Sequence, residues 1–205
     1  MKGKRFWEIG GFVAGAVLIL FGIAAIALGV NGYTTTRDSL KAEGITFGTA
    51  DDPAVAKYAS NWAGEQVTTG DQARAFAKVM REHTLESSGG LTYAQMGRFV
   101  SAAKPDDPAG TSDEAAALKD DNGQPVANGA RNLWVTETAL TTALNVSYMA
   151  EQLSLFSIIV GVALLLAGVG FGILAIGGAL RNPETAFGFL HKRDKGTRPQ
   201  ALPNV

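Results

Sequence analysis

Apolar residues dominate two stretches of this chain, residues 9–30 and 153–180, and neither carries a charged side chain. At ~1.5 Å of rise per residue the first would reach about 33 Å as a helix, against a bilayer core of roughly 30 Å, so it is long enough to cross once. The second, at about 42 Å by the same rise, must tilt or protrude. Between them lies a polar middle. The pattern predicts an all-α membrane protein: an antiparallel hairpin of two transmembrane helices whose long helices extend outward into a helical extracytoplasmic domain. Its expected segments are a basic cytoplasmic N-terminus (1–8), transmembrane helix 1 (9–30), the extracytoplasmic domain (31–152), transmembrane helix 2 (153–180) and a flexible cytoplasmic tail (181–205).

Phe6 and Trp7 on one side of the first stretch, Tyr33 on the other and Tyr148 before the second are aromatic residues of the kind that settle at headgroup level. Residues 34–43 lack proline and glycine, so the first helix is expected to continue until Gly44 stops it, with residues 45–47 extended. Asp52 as N-cap and Pro53 as first residue predict a helix ending near Gly64. A second helix is expected over 71–86, with Ala73, Phe76, Ala77, Met80 and Leu85 near one face and Ser87-Ser88-Gly89-Gly90 ending it.

Thr92 with Gln95 forms a capping-box pattern before Met96, Phe99 and Val100, and Thr111 with Glu114 repeats it before residues 115–118, predicting two more helices. Asp121-Asn122-Gly123-Gln124-Pro125 is a turn. Residues 128–180 contain no proline and predict one helix of about 75–80 Å. On it Leu133, Val135, Leu140, Leu144, Val146 and Met149 are expected to supply apolar contacts to the short helices.

Small residues organise both stretches. In the first, Gly11, Gly15, Leu18, Gly22, Ala25, Gly29 and Gly32 recur at alternating spacings of four and three. In the second, Ser154, Gly161, Gly168 and Ala175 lie seven apart, joined by Gly172 and Ala179. Lipid tails are as apolar as leucine, so helices there associate by close backbone approach, which such seams permit. They serve either the two helices of one chain or an oligomer, for which Gly10, Ala14, Gly170 and Gly177 offer a second face.

Averaged over 205 residues, the net charge of −1 and mean hydropathy of +0.10 conceal this partition. Residues 31–152 carry 10 Lys or Arg and 16 Asp or Glu, a net of 10 − 16 = −6, whereas both tails are basic. Basic flanks favour the cytoplasm, which directs the middle outward. A secretory signal is the competing reading of the N-terminus. Its apolar core is usually roughly 7–15 residues, shorter than residues 9–30, which favours a retained anchor.

Candidate chemistry is sparse. There is no cysteine, and the two histidines, His83 and His191, fall on opposite sides of the expected membrane. No metal site, glycine-rich phosphate loop or nucleophilic dyad is therefore expected. Asp120 to Gly123 faintly resembles the start of a calcium loop, but the twelfth position is Arg131, where a glutamate would be needed. Glu8 and Glu151 stand at the edges of the apolar stretches, where snorkelling suffices. Trp62, Tyr93 and Trp134 are aromatic anchors, core residues or contacts for an outer ligand or partner.

The chain resembles a family of uncharacterised actinobacterial membrane proteins with two transmembrane helices. The resemblance rests on Lys2-Gly3-Lys4-Arg5 with residues 8–15, on Leu91-Thr92-Tyr93-Ala94-Gln95-Met96-Gly97-Arg98-Phe99, and on Asn132-Leu133-Trp134-Val135 with residues 139–145. It implies two spans but no established function. Some similar sequences carry an aromatic ring-opening dioxygenase label; non-haem iron of that type needs two histidines and a carboxylate together, which this chain does not supply. The resulting expectation is a non-enzymatic plasma-membrane scaffold or accessory subunit, without cofactor or nucleic-acid partner. It would self-associate or dock on a larger membrane or envelope assembly. The alternative is an extracytoplasmic ligand-binding or sensor module.

Overall fold

The computed structural model describes the backbone of residues 2–177 and the side chains from Ile9 to Gly177. The expectations placed on Phe6, Trp7, Glu8, Ala179 and the 181–205 tail fall outside the described residues. Helix α1 covers Lys2–Ala42, α2 Pro53–Tyr58, α3 Gly70–Ser87 and α4 Gly129–Ile176, with 3-10 turns at Ser60–Trp62 and Tyr93–Gln95. Among the described residues the only β structure is a set of isolated bridges. Two helical stretches, Ile9–Ala42 and Gly129–Ile176, are long and apolar enough to cross a membrane. The chain divides into two compact units, one from residues 1–29 and 156–205, the other Val30–Leu155.

In the first unit α1 and α4 run antiparallel. A Cβ added to Gly15 would lie 2.8 Å from the Gly168 carbonyl oxygen, and one added to Gly22 would lie 2.8 Å from that of Gly161. The reciprocal distances, from Gly161 to Gly22 O and from Gly168 to Gly15 O, are both 2.7 Å. The backbones therefore touch where any larger residue would hold them apart. The Ser157 hydroxyl adds a 2.9 Å bond to the Ala25 carbonyl. Phe12, Leu20, Leu28, Leu166 and Ile173 face away from this contact and are exposed.

Val30–Leu155 packs differently. Leu40, Phe47, Val55, Val67, Val79 and Leu144 form its core with alanines of α2 and α3. Gly44 ends α1 with φ +65, a conformation glycine adopts without Cβ strain. Residues 45–47 then run extended beside 65–67, Phe47 N–H donating to Glu65 O and Val67 N–H to Ile45 O. Asp52 caps α2 through the amides of Ala54 and Val55. Thr69 and Gln72 form a reciprocal capping box on α3.

Four expectations are corrected. The helix from Pro53 does not reach Gly64: Ala59 leaves helical geometry at φ −145, and a 3-10 turn follows that lets Trp62 stack on Phe47. The Thr92–Gln95 capping box closes only a 3-10 turn, and no helix forms over residues 111–118. Residues 97–128 instead pair with each other: Phe99 and Thr111 exchange backbone bonds, Leu118 N–H donates to Val100 O, and Val126 N–H to Leu118 O. These ladder bonds consume the amides a helix would need. Gly97 permits the pairing, since a Cβ there would collide with the Thr111 backbone.

The third correction concerns α4. Of its six expected contact residues only Leu144 is buried; Leu133, Val135, Leu140, Val146 and Met149 are exposed. The inward stripe is Trp134, Glu137, Leu144, Glu151 and Ser154. The fourth is Glu151, which is 5% exposed and does not snorkel.

Candidate functional site

Glu151 is the best-partnered buried charge. Its Oε1 accepts from Arg37 Nη2 at 3.0 Å, and its Oε2 accepts the backbone N–H of Gly70, the first residue of α3. One carboxylate thus joins α1, α3 and α4 within Val30–Leu155 and sits at the positive end of the α3 dipole. Gly70 leaves room for it, since a Cβ there would lie 2.9 Å from Tyr148 Cα.

Glu137 is the contrasting case. It is 2% exposed, its Oε2 lies 3.9 Å from Arg81, and its Oε1 has no hydrogen-bond partner among the described residues. The Arg81 guanidinium also lies over the Trp134 ring. No sequence motif marks Glu137; only its place seven residues before Leu144 and fourteen before Glu151 on the buried stripe distinguishes it.

The three aromatic candidates have different immediate partners. Trp134 is buried and donates its indole N–H to Leu91 O at 2.8 Å and Ser88 Oγ at 3.2 Å. Trp62 stacks on Phe47. Tyr93 is half exposed under the Arg131 guanidinium. An apolar cavity of about 450 Å³, open on one side, is lined by Leu40, Ile45, Phe76, Met80, Ala143 and Leu144 with Glu43 among its polar groups.

His83 is no isolated surface histidine. Its Nε2 is hydrogen-bonded to Asp52 Oδ1 at 3.1 Å and lies 2.9 Å from Oδ2, and this hydrogen bond, with those from the Ala54 and Val55 amides, holds the Asp52 carboxyl below its usual range. Nearby Lys57 bonds Glu82 at 3.1 Å, and the Tyr58 hydroxyl donates to the same carboxylate. Lys57 is raised, by Tyr58 first and Glu82 second; Glu82 is lowered by Lys57 first and Tyr58 second. These exposed pairs link α2 to α3, and the Asp52 carboxylate is already occupied as a helix cap. No cluster of three His, Asp or Glu side chains able to hold a metal ion occurs among the described residues.

Of the seam residues, Gly15, Gly22, Gly161 and Gly168 make the backbone contact, with Gly29 and Ala175 buried and Gly11, Ala25 and Gly172 half-buried. Gly10 and Gly170, on the other faces, would meet nothing within 4 Å. No family model, curated protein or solved structure matches the chain.

Proposed function

We propose that this chain is a non-enzymatic integral membrane protein with two spans, cytoplasmic termini and an extracytoplasmic Val30–Leu155 unit, acting as a scaffold or accessory subunit. It self-associates or docks on a larger membrane or envelope assembly. The observation that carries this reading is the inside-out character of the helix pair: glycines meet at the contact while Phe12, Leu20, Leu28 and Leu166 point away from it, at 58–72% exposure. Such a surface suits lipid and is unsuited to water. The resemblance to actinobacterial two-span proteins agrees with it, and the chemistry of the outer unit supports binding more than catalysis.

Two experiments test it. An impermeant thiol reagent applied to intact cells is expected to label Lys104→Cys in this otherwise cysteine-free chain; labelling only after lysis would refute the topology. Purification in mild detergent at native abundance is expected to give an assembly larger than one chain, and a lone monomer would remove the scaffold role.

A second reading, an extracytoplasmic ligand-binding module, draws on the apolar cavity. Its volume lies within the roughly 300–1,000 Å³ of small-molecule sites. Native mass spectrometry of the full chain would reveal a retained apolar molecule, and Ala143→Trp, at a residue lining the cavity, would displace it.

A further inference from the structure

The apolar cavity of about 450 Å³ lies wholly within Val30–Leu155 and is set against the C-terminal end of α1. Leu40 and Leu144, 3% and 6% exposed, form part of its wall, and Phe76 and Met80 of α3 are half-buried beside them. Such a wall holds an apolar body by area and does not choose among ligands. The polar groups do choose.

They are mostly acceptors. Among the described residues that line the cavity Glu43 is the only charged one, and its exposed carboxylate enters no ion pair among the described residues. Ser147 already donates its hydroxyl to Ala143 O at 3.1 Å, so its oxygen has only lone pairs left for a ligand. Ser39 and Leu40 stand in the last turn of α1, whose final carbonyls form the negative end of a 41-residue helix. The Ser39 hydroxyl rotates to either role.

We infer that this cavity binds an apolar organic cation, a hydrocarbon or aromatic body carrying one protonated amine. The body lies against Leu40, Phe76, Met80 and Leu144, and the ammonium sits at the Glu43 rim. An ammonium brings donors and no acceptor, the complement of what lines the cavity. A carboxylate or phosphate would meet Glu43 and the α1 carbonyl end with like charge, and a neutral hydrocarbon would leave both unused. With 10 basic and 16 acidic residues in Val30–Leu155, the wider field favours a cation as well. The inference rests on the ligand-binding reading and gives that ligand its chemistry.

Matched probes test it on the full-length chain in nanodiscs of zwitterionic lipid, with empty discs as the blank. The ligands 4-phenylbutylammonium, 4-phenylbutanol and 4-phenylbutyrate share one apolar body and differ in the charge of the head. By equilibrium dialysis the ammonium should bind about two- to fivefold more tightly than the alcohol, the size of an ion pair at an open rim, and the butyrate more weakly than either. Glu43→Gln should bring the ammonium to the level of the alcohol. Glu43→Lys should reverse the order and make the butyrate the tightest; position 43 is exposed, and unchanged helical content shows that both variants fold. Ala143→Trp, which fills the cavity, should abolish specific binding of all three.

Equal affinities for the three probes, or an order that Glu43→Lys leaves unchanged, would overturn the cationic class while the cavity stands as a ligand site. Binding that Ala143→Trp does not reduce, or none above the empty discs, would remove the ligand site and the inference with it.

Discussion

Where α1 and α4 meet in the 1–29 and 156–205 unit, they meet backbone to backbone; in Val30–Leu155 the elements meet through side chains. Gly15, Gly22, Gly161 and Gly168 contribute space to the first contact, whereas Val55, Val67, Phe47 and Leu144 contribute area to the second. Burying apolar area drives association only where the alternative is water. A surface suited to lipid gains nothing from that term and relies on close approach and an occasional hydroxyl bond. Val30–Leu155, which contains no cysteine, adds caps, paired charges and a buried carboxylate to a core made mostly of alanine and valine.

The largest expected effect is at Glu151. Glu151→Leu strips the partner from Arg37 and the Gly70 amide and should cost about 3–5 kcal/mol in detergent-based denaturation, with Glu151→Gln costing less because it retains an acceptor. A wild-type stability for Glu151→Leu would return the residue to the lipid edge and erase the contrast between the units.

Next come the glycines. Gly22→Ala or Gly161→Ala forces the backbones apart and should cost about 1–3 kcal/mol. Gly10→Ala and Gly170→Ala meet open space and should be neutral or stabilise by up to ~1 kcal/mol through helix propensity. Equal effects at contact and outer glycines would mean the stripe sets no spacing.

Hydrogen bonds sharpen the comparison further. Trp134→Phe removes both indole hydrogen bonds, to Leu91 O and Ser88 Oγ, while the Ser88 hydroxyl still donates to Leu91 O, so at about 0.5–1.5 kcal/mol each it should cost about 1–3 kcal/mol. Ser157→Ala removes the bond to Ala25 O and should cost only about 0.6 kcal/mol. Thermal unfolding of both variants in one detergent checks the ranking, and a reversal would show that hydroxyl bonds dominate the apolar helix pair.

The smallest effect is acid sensitivity at the α2–α3 surface. The folded Asp52 carboxyl is lowered from its ordinary value of 3.8 by His83 and two helix amides, so its stabilisation is complete above that value and is lost as pH falls through the folded one. Wild type should therefore lose more stability than Asp52→Asn on acidification from about pH 5 to pH 2. Parallel curves would detach Asp52 from the fold's pH response.

The capping chemistry and the period of the hydrophobic pattern were legible at Gly44, Asp52 and the Ser87–Gly90 stop, because each acts on neighbours within a few residues. Thr111–Glu114 misled for the same reason: its local signal is sound, but Phe99, distant in sequence, takes the Thr111 amide. The fate of Glu151 was illegible because its partners, Arg37 and Gly70, lie 114 and 81 residues away.

By itself the sequence determined the two long apolar helices, the stripes of small residues and the polarity of what lies between them, since periodicity and hydropathy are properties of the chain alone. Only the tertiary structure decided which face of α4 turns inward. That face is chosen by contacts with α1 and α3 that no local period encodes, and the choice leaves Val135, Val146 and Met149 outside and two glutamates within.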